Sequence, residues 1–213
     1  MMGHAGMAAA AVRYLRSVGA APTNQPPEAS EPYDPHPRAE LRAVREDERV
    51  PVESGEFRRV MGRFASGVTV ITAQDPGGPE GPAGPAGFAC QSFSSLSLDP
   101  PLVVFMVART STTWPRIARA GAFCVNVLGE GQEELCRGFA VRGGDKFAGV
   151  AHRPAPVGGA PLLEGATAWV DCAVHAVHTG GDHLIVVGRV RALGADGDGD
   201  PLIFHEGRFR RLE

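Results

Sequence analysis

Residues 87–113, GFACQSFSSLSLDPPLVVFMVARTSTT, constrain the fold of this chain more than any other stretch. Two runs of β character, residues 86–93 and 102–108, are separated by a Ser-rich turn and Pro100-Pro101. The second leads directly into Arg109, Thr110, Ser111, Thr112 and Thr113. Apolar and aromatic runs bounded by Pro and Ser read as strands, and the closing run concentrates hydroxyls beside a guanidinium. A strand, a polar corner, a buried strand and an anion cradle, in that order, suit a ligand with a flat apolar end and a phosphorylated tail. Strand amides reach ring edges, while Ser, Thr and Arg hold phosphate oxygens.

The remainder of the 213 residues supplies one sizeable domain and an appendage, with no internal period of a solenoid. Residues 1–54 are rich in Pro and poor in large aliphatics, with a charged run at 38–49. They hold too little apolar surface to offset the entropy of ordering, so a disordered extension is expected before a folded domain at 55–213. Ser54 is expected to cap a helix carrying Phe57, Val60, Met61 and Phe64 on one face and ended by Gly67. Residues 68–72 are rich in β-branched side chains and predict a strand covered on both faces. Gly81, Gly84 and Gly87 recur every three residues, but so few triplets cannot sustain a triple helix, and a hairpin loop is the plain account.

Thr112 or Thr113 is expected to cap a short helix with Pro115 in its first turn, and residues 122–128 form the next strand. Glu130, Gln132, Glu133 and Glu134 open a second helix with Leu135 and Phe139 on its buried face, stopped by Gly143-Gly144. A Pro- and Gly-rich loop follows. Residues 168–177 alternate Val170, Cys172, Val174 and Ala176 against Asp171 and His175, and residues 183–193 alternate similarly. The turn at 179–182 makes these two strands a hairpin. Residues 201–204 and 208–212 form the last strands around Glu206-Gly207. Many short strands, few helices and no β-α-β rhythm predict a mainly β fold, an antiparallel barrel with short α-helices.

Charge and composition exclude several classes. A net charge of -3 with scattered Arg gives no basic stripe, so no nucleic acid is expected. No apolar run approaches the roughly 20 residues that span a bilayer, and the N-terminal apolar run is broken by Arg13 and Arg16, unlike a secretion signal. It reads as a weak Ala-rich helix or an over-long translation start. Cys90, Cys124, Cys136 and Cys172 lack C-x-x-C spacing and sit in apolar surroundings, which fits a reducing cytoplasm.

Four candidate chemistries each have a plainer account. The cluster at 109–113 is an anion cradle, or simply a capped helix with a surface Arg. His175, His178, Asp182 and His183 invite a metal, but residues three apart on a strand face opposite sides, so no metal site is expected and His183 reads as a hairpin or ligand-contacting His. Asp145-Lys146 reads as a structural ion pair at a turn, and Cys90 as a packed thiol rather than a nucleophile. No nucleophile elbow, P-loop or Rossmann fingerprint is present.

In order along the chain, FASGVTVIT, GFACQSFSSLSLDPPLV, ARTSTTWPRI, FCVNVLGEGQEELCRGFA, GGDKFAGV, GGDHLIVVGRV and PLIFHEGRF resemble the flavin reductase family. The resemblance is to the reductase components of two-component flavin-dependent monooxygenases, and it covers residues 56–212. It implies an FMN-binding split barrel of antiparallel, Greek-key-like topology and a homodimer with flavin near the subunit interface. On this sequence Pro85, Ala86, Gly87, Phe88, Ala89, Gln91 and Ser92 correspond to the flavin-contacting strand. Met106, Val107, Ala108, Arg109, Thr110, Ser111 and Thr112 correspond to the loop holding ribityl and phosphate groups, and Gly138 and Phe139 to a further contact. His183, as the catalytic residue, and Phe204, His205, Glu206 and Gly207 fall on the nicotinamide side. Many relatives carry Thr and Asn or Ser where this chain has Ala89 and Gln91.

The implied activity is hydride transfer from NADH, with NADPH as second choice, to FMN or FAD, followed by release of reduced flavin to a separate monooxygenase. Because the two heterocycles carry the chemistry, no side-chain nucleophile is needed. The rival readings are a flavin-binding redox sensor or carrier without turnover, and a split-barrel oxidase with tightly bound flavin.

Overall fold

The computed structural model describes residues 52–79, 81–195 and 199–212, so the expectation of a disordered 1–54 falls, but for its last three residues, outside the described part. The first helix, α1 (Ser54–Met61), is capped by Glu53 rather than Ser54: the Glu53 carboxylate accepts from the amides of Gly55 (2.9 Å) and Glu56 (3.0 Å). An anion at a helix N-terminus satisfies the free amides and also meets the dipole with charge, whereas a hydroxyl satisfies only the amides. The helix stops at Gly62, before the expected Gly67, and its apolar residues Phe57, Val60 and Met61 remain exposed, as does Phe64 at 77%.

Two strand systems follow. Strand β1 (Ser66–Gly67) pairs with β11 (Ile203–His205), which pairs with β12 (Arg208–Arg210). The main sheet contains β2 (Thr69–Asp75), β3 (Gly84–Cys90), β4 (Ser94–Leu98), β5 (Pro101–Ala108), β6 (Ala122–Val127), β9 (Ala168–Gly180) and β10 (His183–Gly194). Its spatial order is β3-β2-β6-β9-β10-β5-β4, every pairing antiparallel, as the strand-rich sequence predicts. The chain passes from β5 through α2 (Trp114–Ala120) to β6, and the β9-β10 hairpin later inserts between them, a Greek-key-like crossing. Helix α3 (Glu133–Ala140) and a small hairpin, β7 (His152–Pro154) with β8 (Pro161–Leu163), complete the architecture.

Three local expectations are corrected. The Ser-rich run at 94–98 is not a turn but the edge strand β4. A polar strand is tolerated there because only one side of its backbone must be paired. The Pro- and Gly-rich segment after α3 contains the β7-β8 hairpin rather than only loop. Asp171 points inward, not outward with His175. It is fully buried, its Oδ2 accepting from the amides of Val157 (2.8 Å) and Gly158 (2.9 Å), so a hydrogen-bonding loop overrides the simple alternation.

Strand β2 divides its buried side chains between two of the three hydrophobic clusters among the described residues. Ile71 and Ala73 join Phe105, Ile117, Phe123, Val125 and Val186 in one, where Phe105 and Phe123 meet edge to face at 5.2 Å. Val70, with neighbouring Val68, joins Leu128, Phe139, Leu163 and Leu202 in the other. Period-two alternation divides one strand between them, and burying each of these aliphatic or aromatic side chains contributes about 1.5–3 kcal/mol. Buried Asp75 at the end of β2 holds α2 in place, accepting from Arg116 Nε and from Arg119 Nε and Nη2, each at 2.9 Å.

The barrel is closed by a side chain. Ser92, just beyond β3, accepts from the amide of Met106 (2.9 Å) and donates to its carbonyl (3.0 Å), tying the free edge at β3 to β5. The two strands are not ladder partners, so the barrel stays split beside this tie. Antiparallel hairpins can cover one another without a full set of ladder bonds, and the backbone at the gap is left to be met by side chains or ligand.

Candidate active site

A groove of about 720 Å³ opens at that split, within the range of small-molecule sites. Val68, Phe88, Ala89, Val107 and Phe139 supply apolar surface, and Phe204 and Phe209, in edge contact at 5.4 Å, close one side from the β11-β12 hairpin. Gln91, Ser92, Met106 and Ala108 line the split itself, followed by Thr110, Ser111, Thr112 and Thr113 where β5 runs into α2.

Strand register brings the distant His183 to the same place. β10 pairs with β5 so that His183 lies opposite Ala108, and the Asp182 carbonyl accepts from the Arg109 amide at 3.0 Å. The His183 ring Nδ1 is 2.7 Å from Asp182 Oδ1, and this contact holds the Asp182 carboxyl below its usual range. With Nδ1 donating to Asp182, Nε2 is left for a ligand and the ring is held in one orientation. Thr113 stands at the N-cap position of α2, as expected, but its side chain makes no capping bond; Ser111 supplies it from two residues earlier, its Oγ accepting from the amides of Thr113 (3.3 Å) and Trp114 (3.2 Å), which leaves its own O–H to donate.

Of the residues singled out in the sequence, Phe88, Ala89, Gln91, Ser92, Met106, Val107, Ala108, Thr110, Ser111, Thr112, Phe139, His183, Phe204 and Gly207 line the groove. Ser92 does so with its hydroxyl committed to Met106, so it shapes the split instead of presenting a free donor-acceptor pair. Pro85, Ala86, Gly87, Arg109, Gly138, His205 and Glu206 are not among the lining residues. Ala86 and Gly87 are buried farther back along β3. A Cβ on Gly87 would lie 2.9 Å from Phe139 Cε1 and 3.1 Å from the Ile71 carbonyl, so this glycine admits the Phe139 ring rather than a ligand. Arg109 is exposed beyond the strand end. Gly138 is exposed on α3 because the buried positions are Cys136 and Phe139, and the adjacent residue is turned about 100° away. Glu206 pairs with Arg63 at 2.9 Å instead.

The opposite wall was missed from sequence. Lys146 makes no ion pair with Asp145. Its Nζ donates to the carbonyls of Phe139 (3.0 Å) and Gly87 (3.4 Å), while Asp145 Oδ1 accepts from the Phe147 amide. Lys146 thus binds the end of α3 to the flank of β3, and burial lowers its pKa. Arg137 and Arg142 line the same wall; Arg137 sits 5.0 Å over the Phe209 ring and pairs with Glu134 at 3.3 Å. The available signal was a lysine a few residues beyond a helix end, where the last carbonyls lack partners. Cys90 is a packed thiol, as expected, its pKa raised by burial.

The donor set fits a planar heterocycle carrying an anionic tail. The same groove is lined by flat apolar side chains, a loop of hydroxyls and three cations, and Phe139 is admitted to it by a glycine with no Cβ to displace it. Such a site suits a flavin.

A family profile described as "Flavin reductase like domain" matches residues 61–213. The chain therefore belongs to the flavin reductase family, the class that its split barrel and groove define. It is similar, at 45% identity over 162 residues (76% of this chain and 80% of the relative), to the reductase subunit of a flavin-dependent monooxygenase from Rhodococcus jostii. An NADH-dependent flavin reductase from a Rhodococcus species is 39% identical over 162 residues, 74% of this chain and 85% of the relative. Among solved structures, the NADH:FAD oxidoreductase of Streptomyces globisporus, in complex with NAD and FAD fragments, superposes with a TM-score of 0.69 at 38% identity. That match covers 77% of this chain and 95% of the other.

Proposed function

We infer that this chain is an NADH-dependent flavin reductase that reduces FMN or FAD and supplies the reduced flavin to a separate monooxygenase. The observation that carries the reading is the convergence, in one groove, of the Phe88 and Ala89 surface, the hydroxyl loop at 110–113 and the Asp182-held His183 ring. When both are bound, the flavin and the nicotinamide supply hydride transfer between their rings. The protein's task is to stack and orient them.

Phe88, Ala89, Val107 and Phe139 exclude water from the ring faces. Gln91 and the backbone around it donate to and accept from the flavin edge. Ser111 donates its free O–H, with Thr110 and Thr112, to the flavin tail. His183, fixed through Nδ1 by Asp182, presents Nε2 to the nicotinamide, and Phe204 and Gly207 border that side. Arg109 has no such role in this assignment, being outside the groove lining. We assign the protein to the cytoplasm, in keeping with four free, buried cysteines, and to a homodimer, in which a second copy covers the exposed Phe57, Val60, Met61 and Phe64. Among the described residues no helix is long and apolar enough to cross a membrane.

Mixing the full chain with NADH and excess FMN or FAD, and following the nicotinamide absorbance, tests the activity. Flavin-dependent oxidation is expected, with flavin lost on gel filtration. Absence of flavin-dependent oxidation would identify a sensor or carrier, and a yellow protein that keeps its colour through the column would identify a tight-binding oxidase. Light scattering on the same column reads the dimer.

A further inference from the structure

The positive charge in the groove does not come from Arg109, whose side chain is exposed outside it, but from the wall formed at and beyond the end of α3. Arg137, Arg142 and Lys146 are the lysine and arginine residues of that lining. Arg137 is already compensated by Glu133 and Glu134 and stacked on Phe209. Lys146 differs. Among the described residues no carboxylate lies within ion-pair distance of its ammonium, and its two partners are neutral carbonyls, Phe139 on α3 and Gly87 on β3. A lysine has three N–H donors, so one remains. A half-buried ammonium without a counter-ion is held at a cost, visible in the lowering of its pKa by burial, and an arriving anion would repay that cost. Arg142 is likewise without a carboxylate partner among the described residues and borders the same groove. Two uncompensated cations in one cleft, in a chain of net charge -3, call for a ligand's negative charge.

We propose that Lys146 and Arg142 form an anion subsite that holds a phosphate group of the nucleotide bound in this groove, facing the neutral hydroxyls of residues 110–113. The proposal rests on the flavin reductase reading and names the protein's own charge for it. The hydroxyl loop supplies donors without charge, whereas the α3 wall supplies charge, Lys146 as an ammonium held by two carbonyls and Arg142 as an exposed guanidinium. The phosphate belongs either to the flavin or to the nicotinamide nucleotide, and the two sources separate by experiment.

Equilibrium titrations of the full chain with riboflavin, FMN and FAD are compared with those of Arg142→Gln and Lys146→Met, alongside the KM for NADH at saturating flavin. If the flavin phosphate is held, each variant weakens FMN or FAD about 10- to 100-fold, since a charge-assisted hydrogen bond is lost, and riboflavin by less than about twofold. The salt dependence of FMN binding becomes shallower in both. If the nicotinamide phosphate is held, flavin affinities stay level and the KM for NADH rises by a similar factor, an effect that inorganic pyrophosphate as competitor should mirror. Equal losses for riboflavin, FMN and FAD with an unchanged KM would overturn the subsite and make Lys146 a structural tie. Arg142, being exposed, keeps the test valid where Lys146→Met fails to fold, and no loss in Arg142→Gln for any phosphate-bearing ligand overturns its part. A wild-type chain that binds none of the three flavins overturns the function reading itself.

Discussion

Replacing Asp75 by Asn should cost the fold about 3 kcal/mol, the lower end of the range for breaking a buried ion pair. The carboxylate is fully buried and accepts four hydrogen bonds, three from the guanidinium groups of Arg116 and Arg119 and one from the Gly77 amide at 3.0 Å. In its better orientation Asn keeps an oxygen for Arg119 Nε and the Gly77 amide, but sets an NH₂ against Arg116 Nε and Arg119 Nη2. Two charge-assisted bonds at about 1.5–3 kcal/mol each are replaced by opposed donors. The side chains of Arg116 and Arg119 are 36% and 24% exposed, so water recovers part of the loss. In the folded chain the Asp75 carboxyl is held far below its usual range, first by Arg119, against the opposing effect of burial and with help from Arg116 and Gly77. Its stabilisation is therefore complete above the unfolded value of about 3.9 and is lost as pH falls from there toward the folded pKa. Urea denaturation followed by the fluorescence of Trp114 and Trp169 should show the full gap between wild type and Asp75→Asn at pH 7, narrowing below about pH 4. Because α2 begins directly after the hydroxyl loop, flavin affinity should fall with it. A variant within about 1 kcal/mol of wild type at pH 7, or a gap that does not close in acid, would refute the reasoning.

Three further outcomes are expected. Gly87→Ala should destabilise by about 1–3 kcal/mol through overpacking against Phe139 and the Ile71 carbonyl, and weaken flavin binding. In a double-mutant cycle with Phe139→Leu, the two losses should be sub-additive by more than about 0.5 kcal/mol, and strict additivity would count against the contact. His183→Ala should lower kcat/KM for NADH about 10- to 100-fold by loosening ring orientation while leaving the flavin dissociation constant nearly unchanged, and steady-state kinetics beside a flavin titration would expose the reverse pattern. Burial raises the pKa of all four thiols, to about 12 for Cys124 and Cys172, so a thiol reagent at pH 8 should label none of them until denaturant is added.

Elements with strong local patterns were legible beforehand. β2, β5, β6 and the β9-β10 hairpin each carry an apolar run or an alternation that one strand's geometry explains, and the turn at 179–182 falls where the ladder ends at Gly180 and His183. The structure departs from local preference where one hydrogen-bonding side chain outcompetes another. Glu53 took the cap from Ser54, Ser111 made the capping bond that Thr113 at the N-cap does not, both through neighbours two or three residues away, and Asp171 turned inward to meet a loop amide pair.

The candidate site divides along the same line. The residues that spacing and resemblance placed in it, from Phe88 to Thr112 together with His183, carry their signal in strand and turn patterns, which depend on neighbours a few positions away. The cationic wall does not. Lys146 sits beside Asp145 in the chain, and the local expectation of an ion pair was reasonable. Only the approach of α3 to β3, admitted by the missing Cβ of Gly87, offered its ammonium two carbonyls from elements far apart in sequence. Hydrophobic periodicity determined the long strands and the faces they bury, but not β4, the β7-β8 hairpin or the inward turn of Asp171. Which side chains meet across the split depended on how those strands close on one another, because a hydrogen bond or an uncompensated charge is decided by position in space and leaves no periodic trace along the chain.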